Sequence, residues 1–195
     1  MSTCKTSNQK VFACWSGRFQ PTHLGHLEIL KHSLKVLDLP HVCILTTYFG
    51  WSTCGDDEYA QHAKANYSPS KNPFSVWERF TLLSLGIKEL EIENKVSIIV
   101  APRHDWNWNI VKTFYPPCRV ICLTNKDEFE CSKAQIWKSR GEEVRIIDVS
   151  KISPLLTTTL IKKKVADGSN WKNYMAKSTH SYFESIDGPS RLFGI

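Results

Sequence analysis

Ten residues near the N-terminus carry the strongest chemical signal in the chain: Gly17-Arg18-Phe19-Gln20-Pro21-Thr22-His23-Leu24-Gly25-His26. They follow a short apolar, β-prone run, Val11-Phe12-Ala13-Cys14-Trp15, and open a segment with helical periodicity at Leu27, Leu30, Leu34 and Leu37. A strand feeding a Gly- and His-bearing turn at a helix N-terminus is a site for phosphate, because unpaired N–H groups and the helix dipole both favour an anion there. Gly17 has no Cβ to block a ligand near the backbone. Pro21 stiffens the turn. Gly25 separates two histidines with little bulk, so His23 and His26 can face one ligand. The plainer alternative makes both histidines surface residues of a helix, but it does not account for the whole ten-residue run.

Phosphoryl and nucleotidyl transfers need positioning and charge stabilisation more than covalent help. Other residues of suitable type recur along the chain. Thr157-Thr158-Thr159 before Leu160-Ile161-Lys162 reads as a helix start whose hydroxyls and free N–H groups suit phosphate oxygens, with Lys162 reaching the β- or γ-phosphate. The alternative is an ordinary cap, with Lys162, Lys163 and Lys164 as a solvated face. Asp105-Trp106-Asn107-Trp108-Asn109 combines aromatic faces with amide and carboxylate groups, which suit stacking on and hydrogen bonding to a ligand ring. Here the alternative is that one tryptophan fills the core and Asn109 caps a helix. Arg18 and Arg79 are candidates for phosphate contacts, although Arg79 has Glu78 as a rival partner.

The elements that must position these groups alternate. Strand-like runs fall at Val11–Trp15, His41–Thr46, Val96–Val100, Arg119–Thr124 and Val144–Val149; helical segments lie near Leu24–Leu37, Ser75–Leu85, Asn107–Phe114 and Asp127–Ser139. Short, nearly continuous apolar runs rich in Val and Ile read as strands buried on both faces of a parallel sheet. The expectation is an α/β sandwich with right-handed crossovers. Ligands in such sheets bind at the carboxyl ends of strands. His23 and His26, Trp106 to Asn109, Thr124 and Asn125, and Thr157 to Lys162 all follow strands and so fall on one sheet edge. The stretch Gly50–Lys71 reads as a loop or lid, and residues 157–195 as a small C-terminal helical part of a single domain spanning 1–195.

The run Gly17-Arg18-Phe19-Gln20-Pro21-x-His23-x-Gly25-His26 resembles the signature of the nucleotidylyltransferase superfamily, and its opening is closest to the archaeal-type nicotinamide mononucleotide (NMN) adenylyltransferases. Asn72-Pro73-Phe74-Ser75-x-x-Glu78-Arg79 resembles the family's Asn-Pro-Phe-Thr-x-x-Glu-Arg helix start. Pro102 with Asp105 to Asn109 resembles its Pro-x-x-Asp-x-Asn-x-Asn segment, and Thr157 to Lys162 stands where the family has Ser-x-Thr-x-Ile-Arg. Ala166-Asp167-Gly168, Trp171 and Lys177-Ser178 follow as its C-terminal end does, so the resemblance runs from about Val11 to Leu192. Two departures stand out: Lys162 replaces the motif arginine and Thr157 its serine, and the Thr47–Lys71 segment is long. Lysine keeps the charge but loses the bidentate fork.

The resemblance implies a Rossmann-like fold with a central parallel sheet of about five strands flanked by helices. It implies transfer of AMP from Mg-ATP to NMN, or to nicotinate mononucleotide, giving NAD and pyrophosphate. His23, His26 and Lys162 would be catalytic. Gly17, Arg18, Phe19, Gly25, Thr124, Asn125 and Thr157 to Thr159 would hold ATP, and Arg79, Asp105, Trp106, Asn107 and Trp108 the nicotinamide substrate. No metal site of the protein's own is evident; Mg²⁺ would be carried by ATP phosphates and water. The rivals are a phosphopantetheine adenylyltransferase or cytidylyltransferase and a non-catalytic nucleotide-binding regulator. Such enzymes are often oligomeric, so the resemblance is compatible with a homo-oligomer, although the sequence itself does not give the oligomeric state.

Composition bounds the rest. The 195 residues are 42% hydrophobic, ordinary for a globular chain, and no apolar run nears the roughly 20 residues that span a membrane. The N-terminus lacks the apolar core of a signal peptide. The net charge of +6 comes from scattered basic residues, which suits a small anionic substrate better than nucleic acid. The seven cysteines contain no Cys-x-x-Cys; Cys14, Cys43 and Cys122 read as small buried hydrophobes. Reduced thiols and a cytoplasmic location are expected.

Overall fold

The computed structural model describes residues 10–47, 71–104, 107–152 and 155–194. Five strands, β1 (Phe12–Gly17), β2 (His41–Thr47), β3 (Val96–Pro102), β4 (Arg119–Thr124) and β5 (Val144–Ile147), form one sheet in the order β3-β2-β1-β4-β5. Every pairing is parallel. The order reverses between β1 and β4, which opens a crevice beyond their carboxyl ends.

The helices are α1 (Leu24–Leu37), α2 (Val76–Glu89), α3 (Trp108–Val111), α4 (Glu128–Ser139), α5 (Thr158–Ala166), α6 (His180–Ser185) and α7 (Gly188–Phe193). Alternation along β2 assigns them to faces. Val42 and Ile44 point to a core shared with Val111 of α3 and Trp137 of α4. Cys43 and Leu45 point to the opposite core, filled by Leu27 and Leu30 of α1 and Leu83 and Ile87 of α2. Close approach of α1 and α2 depends on Gly86, where a Cβ would stand 2.9 Å from a Leu27 methyl. Helices α5 to α7 add a third cluster, with Ile161, Phe183 and Leu192 packed around Leu82 of α2.

Departures from the sequence reading have local causes. β1 continues through Ser16 and Gly17, which pair with Ile44 and Leu45. β3 continues to Pro102, tolerated because β3 is an edge strand. β5 stops at Ile147, because Asp148 turns the chain by accepting hydrogen bonds from the Ser150 N–H and hydroxyl. Asn107–Phe114 is one α-helical turn followed by a 3-10 turn at Lys112–Phe114, ahead of Pro116 and Pro117. The C-terminal part breaks after α5, where Gly168 adopts φ +92°. Cys14, Cys43 and Cys122 are free and buried, and burial pushes the Cys14 thiol up to about 12. The expectation of reduced thiols fails at Cys118, which is disulfide-bonded; it precedes the apolar run of β4, so strand burial said nothing of its state. No helix among the described residues is long and apolar enough to cross a membrane. The Gly50–Lys71 loop lies outside the described residues, Lys71 excepted.

Candidate active site

The β1–α1 loop leaves the sheet at Gly17 and is braced from two sides. Phe19 takes a positive φ of 49° and is buried, edge-on to Trp15 at 5.3 Å. Its ring fills the space beside Gly17, where a Cβ would meet it at 3.0 Å. Gln20 makes a reciprocal pair with the Phe74 backbone: its Nε2 donates to the carbonyl at 2.9 Å and its Oε1 accepts from the N–H at 3.0 Å. Arg79 is buried beneath the loop, where its Nη1 donates to the carbonyls of Arg18 at 2.6 Å and Thr46 at 3.0 Å. The Asn-Pro-Phe segment and the start of α2 are thus a brace. Ser75 caps α2 through the Glu78 N–H, and Glu78 pairs with Arg191 at 2.6 Å.

His23 caps α1 from extended backbone, and His26 lies one turn on, the ring centres 3.8 Å apart. Both side chains are neutral at neutral pH. Burial, helped by the charge of Lys126, lowers His23 to about 3. Burial, then His23, Lys126 and Arg18, hold His26 well below the imidazole range. The His26 Nδ1 accepts the His23 backbone N–H at 3.3 Å. A neutral imidazole whose Nδ1 accepts must carry its proton on Nε2, so His26 offers an N–H donor from its other edge. The His23 Nδ1 is buried with no hydrogen-bond partner, which leaves it able to answer a ligand.

Helix α5 closes on this pair through a backbone contact. A Cβ at Gly25 would lie 2.2 Å from the Leu156 carbonyl oxygen. Gly25 therefore serves as the seat that lets the α5 entry reach α1. Thr157 caps α5 by accepting the Leu160 N–H at 3.2 Å.

A cavity of about 680 Å³ lies between these elements. Of the residues singled out in the sequence it brings together Gly17, Arg18, Phe19, His23, His26, Thr124, Thr157, Thr158, Thr159 and Lys162. Lys162 is exposed at its rim. The cavity does not take in Gly25, Arg79, Asn125, Asn107 or Trp108. Asn125 ties β4 to β5 instead: its Oδ1 accepts from the Val149 N–H at 2.9 Å and its Nδ2 donates to Asp148 at 3.0 Å. Asn107 is an exposed helix-start residue. Trp108 packs edge-on against Trp137 at 5.0 Å and Tyr115 at 5.5 Å, with Arg119 and Arg140 over its ring. Asp105 and Trp106 lie outside the described residues.

The opposite wall is one the motifs did not announce. It carries Arg103 and His104 after β3, Lys126 after β4, and Glu130 and Lys133 on α4. Glu130 accepts from Lys133 at 2.6 Å and lies 3.9 Å from the Lys126 Nζ. His104 is buried against Trp137 at 4.6 Å; burial, then Lys133, Arg140 and Arg103, hold it neutral. The strand-end rule that found Thr124 reaches Arg103, His104 and Lys126 too, whereas nothing local marks Glu130 or Lys133. The cavity carboxylates, Asp127 and Glu130, are engaged by a capping N–H and by lysines. Among the described residues no group of three His, Cys, Asp or Glu could hold a metal.

This architecture is the Rossmann-like fold of nucleotidyltransferases. A solved Vibrio parahaemolyticus structure, described as a nicotinate-nucleotide adenylyltransferase, superposes with a TM-score of 0.58 at 14% identity, covering 95% of this chain and 96% of that one. Within that class, the chain is similar along most of its length to archaeal enzymes named nicotinamide-nucleotide adenylyltransferase. The Thermococcus onnurineus protein is 27% identical, covering 90% of this chain and 83% of the relative. The Archaeoglobus fulgidus protein is 28% identical, covering 92% and 94%. No family model matches the chain.

Proposed function

We propose that the protein transfers AMP from Mg-ATP to NMN, forming NAD and pyrophosphate. The observation that carries this reading is the pair of neutral histidines at the α1 N-terminus, His23 buried and His26 half-buried, facing the Thr157–Lys162 helix start across one cavity. The names of the archaeal relatives support the choice of acceptor.

An acceptor phosphate has a second pKa of about 6, so it is mostly dianionic at pH 7 and needs no general base. Its oxygen attacks the α-phosphorus. A new P–O bond forms as the bond to the β-phosphate oxygen breaks, and the electron pair leaves with pyrophosphate. The His26 Nε2–H and the α1 N–H groups hold the charge that builds on the α-phosphate. Thr158, Thr159 and Lys162 hold the departing β- and γ-phosphates. The rate gain comes from alignment and fixed dipoles in a site already desolvated. Mg²⁺ enters as part of the nucleotide substrate, because the cavity carboxylates are already engaged.

Incubation with Mg-ATP and separate acceptors (NMN, nicotinate mononucleotide, phosphopantetheine, a cytidylyl acceptor with CTP) tests the reading. Pyrophosphate released with NMN, alongside NAD, is the expected result. Release only with phosphopantetheine or CTP, or with none, refutes it.

A further inference from the structure

We propose that Arg103, Lys126 and Lys133 form a second anion subsite that takes the 5′-phosphate of the acceptor mononucleotide. This rests on the adenylyl-transfer reading for the acceptor's identity, but its geometry stands independently. In-line displacement places the attacking and leaving oxygens on opposite sides of the α-phosphorus. The cavity is built to that requirement. Thr158, Thr159 and Lys162 belong to α5, which packs with α2 on one face of the sheet. Lys133 belongs to α4, whose Trp137 packs on the other face. The histidine pair sits at the β1–β4 reversal between them. A polyphosphate held by the α5 wall therefore presents its α-phosphorus to the α4 wall.

The α4 wall has the chemistry of a phosphate receptor. Two strand ends and one helix converge three cations on the cavity. Arg103 is buried at 6% exposure and brings the planar fork that suits phosphate oxygens. Lys126 follows β4 and lines the same cavity as both histidines, where its charge adds to burial in disfavouring their protonation. Glu130 is the positioning residue: its carboxylate holds the Lys133 ammonium at 2.6 Å and restrains Lys126 at 3.9 Å. An arriving phosphate dianion finds both lysines already gathered, which lowers the ordering cost of binding. The wall keeps a net positive charge, since the three cations Arg103, Lys126 and Lys133 exceed the two carboxylates Asp127 and Glu130.

Titration calorimetry with NMN and with its dephosphorylated nucleoside, on the unmodified chain and on Lys133→Gln and Lys126→Gln, tests the subsite. The unmodified protein should bind the mononucleotide more tightly than the nucleoside. Lys133→Gln should weaken the mononucleotide about 10- to 100-fold, the usual cost of a lost charge-assisted hydrogen bond. Nucleoside and ATP affinity should stay within about twofold. Lys133→Arg should recover most of the loss, and melting curves verify that each variant folds. Equal binding of mononucleotide and nucleoside by the unmodified chain overturns the subsite. So do lysine variants that weaken ATP instead. Preference for the mononucleotide with no NAD formed would refute the transfer reading and leave the subsite standing.

Discussion

The two walls of the cavity are written in the chain in different ways. The wall built from the β1–α1 loop and the α5 start comes from two short, dense runs, 17–26 and 157–162. Gly17, His23, Gly25 and His26 fall within ten residues, where backbone packing and chemistry are combined. Gly25 seats the Leu156 carbonyl, and the His23 N–H fixes the His26 tautomer. The wall built from β3, β4 and α4 is assembled from side chains 30 residues apart in sequence, Arg103 to Lys133, with no backbone peculiarity among them. Phosphate held by N–H groups and glycines leaves a spacing that sequence records. Phosphate held by long cationic side chains leaves only lysines and arginines, which every soluble surface also carries.

The largest expected effect falls on the local wall. His26→Ala should lower kcat by about 10²–10³, as removal of one preorganised donor does. Steady-state NAD formation measures it, and near-unmodified turnover would make His26 a bystander. Trp108→Ala sharpens the contrast between packing and binding. Trp108 is packed against Trp137 and Tyr115, so the variant should lose about 3 kcal/mol of stability. Urea unfolding reports that loss, and the KM for NMN should hold steady. A stable variant with a raised KM would return Trp108 to the substrate.

A smaller change is expected at the rim. Lys162→Ala should raise the KM for ATP about tenfold, and Lys162→Arg should restore or improve it, since a guanidinium regains the bidentate fork. An unchanged KM would make Lys162 part of a solvated face.

The smallest effect is a pH profile. The histidines are neutral in the free protein, so kcat/KM should not fall as pH rises through 6.5. It should fall only on the acid side, near the second pKa of the acceptor phosphate, about 6. A loss of rate between pH 6 and 8 would mean that an imidazolium is required. The same burial predicts a stability trend. His23 in the unfolded chain takes a proton near pH 6.5, while the folded group resists until about 3. The unfolded state therefore binds more protons in that window, and stability should fall as pH drops through it. Replacing His23 with Gln should flatten that slope in thermal melts.

Much of the architecture could be read directly from the residues. The strand at Arg119–Thr124 and the helix at Leu24–Leu37 lie where apolar patterning puts them, because long periodic or continuously buried segments leave little choice. The convergence of His23, Thr124 and Thr157 to Lys162 on one cavity followed from the strand-end rule alone. What stayed hidden depended on partners distant in sequence. Arg79 looks like a phosphate ligand until the Arg18 and Thr46 carbonyls claim it. Asn125 sits at a strand end but is spent on Asp148 and Val149. Glu130 acquires meaning only when Lys133 and Lys126 gather around it.

The proposed reaction is direct transfer of the adenylyl group between two walls, with no covalent stop on the protein. Supplying ATP labelled at the α-phosphate together with NMN, and quenching within a single turnover, tests it most directly. Direct transfer passes label from ATP to NAD at the rate pyrophosphate appears, with none precipitating with the protein. Label retained on the chain, or pyrophosphate released before NAD forms, would contradict it.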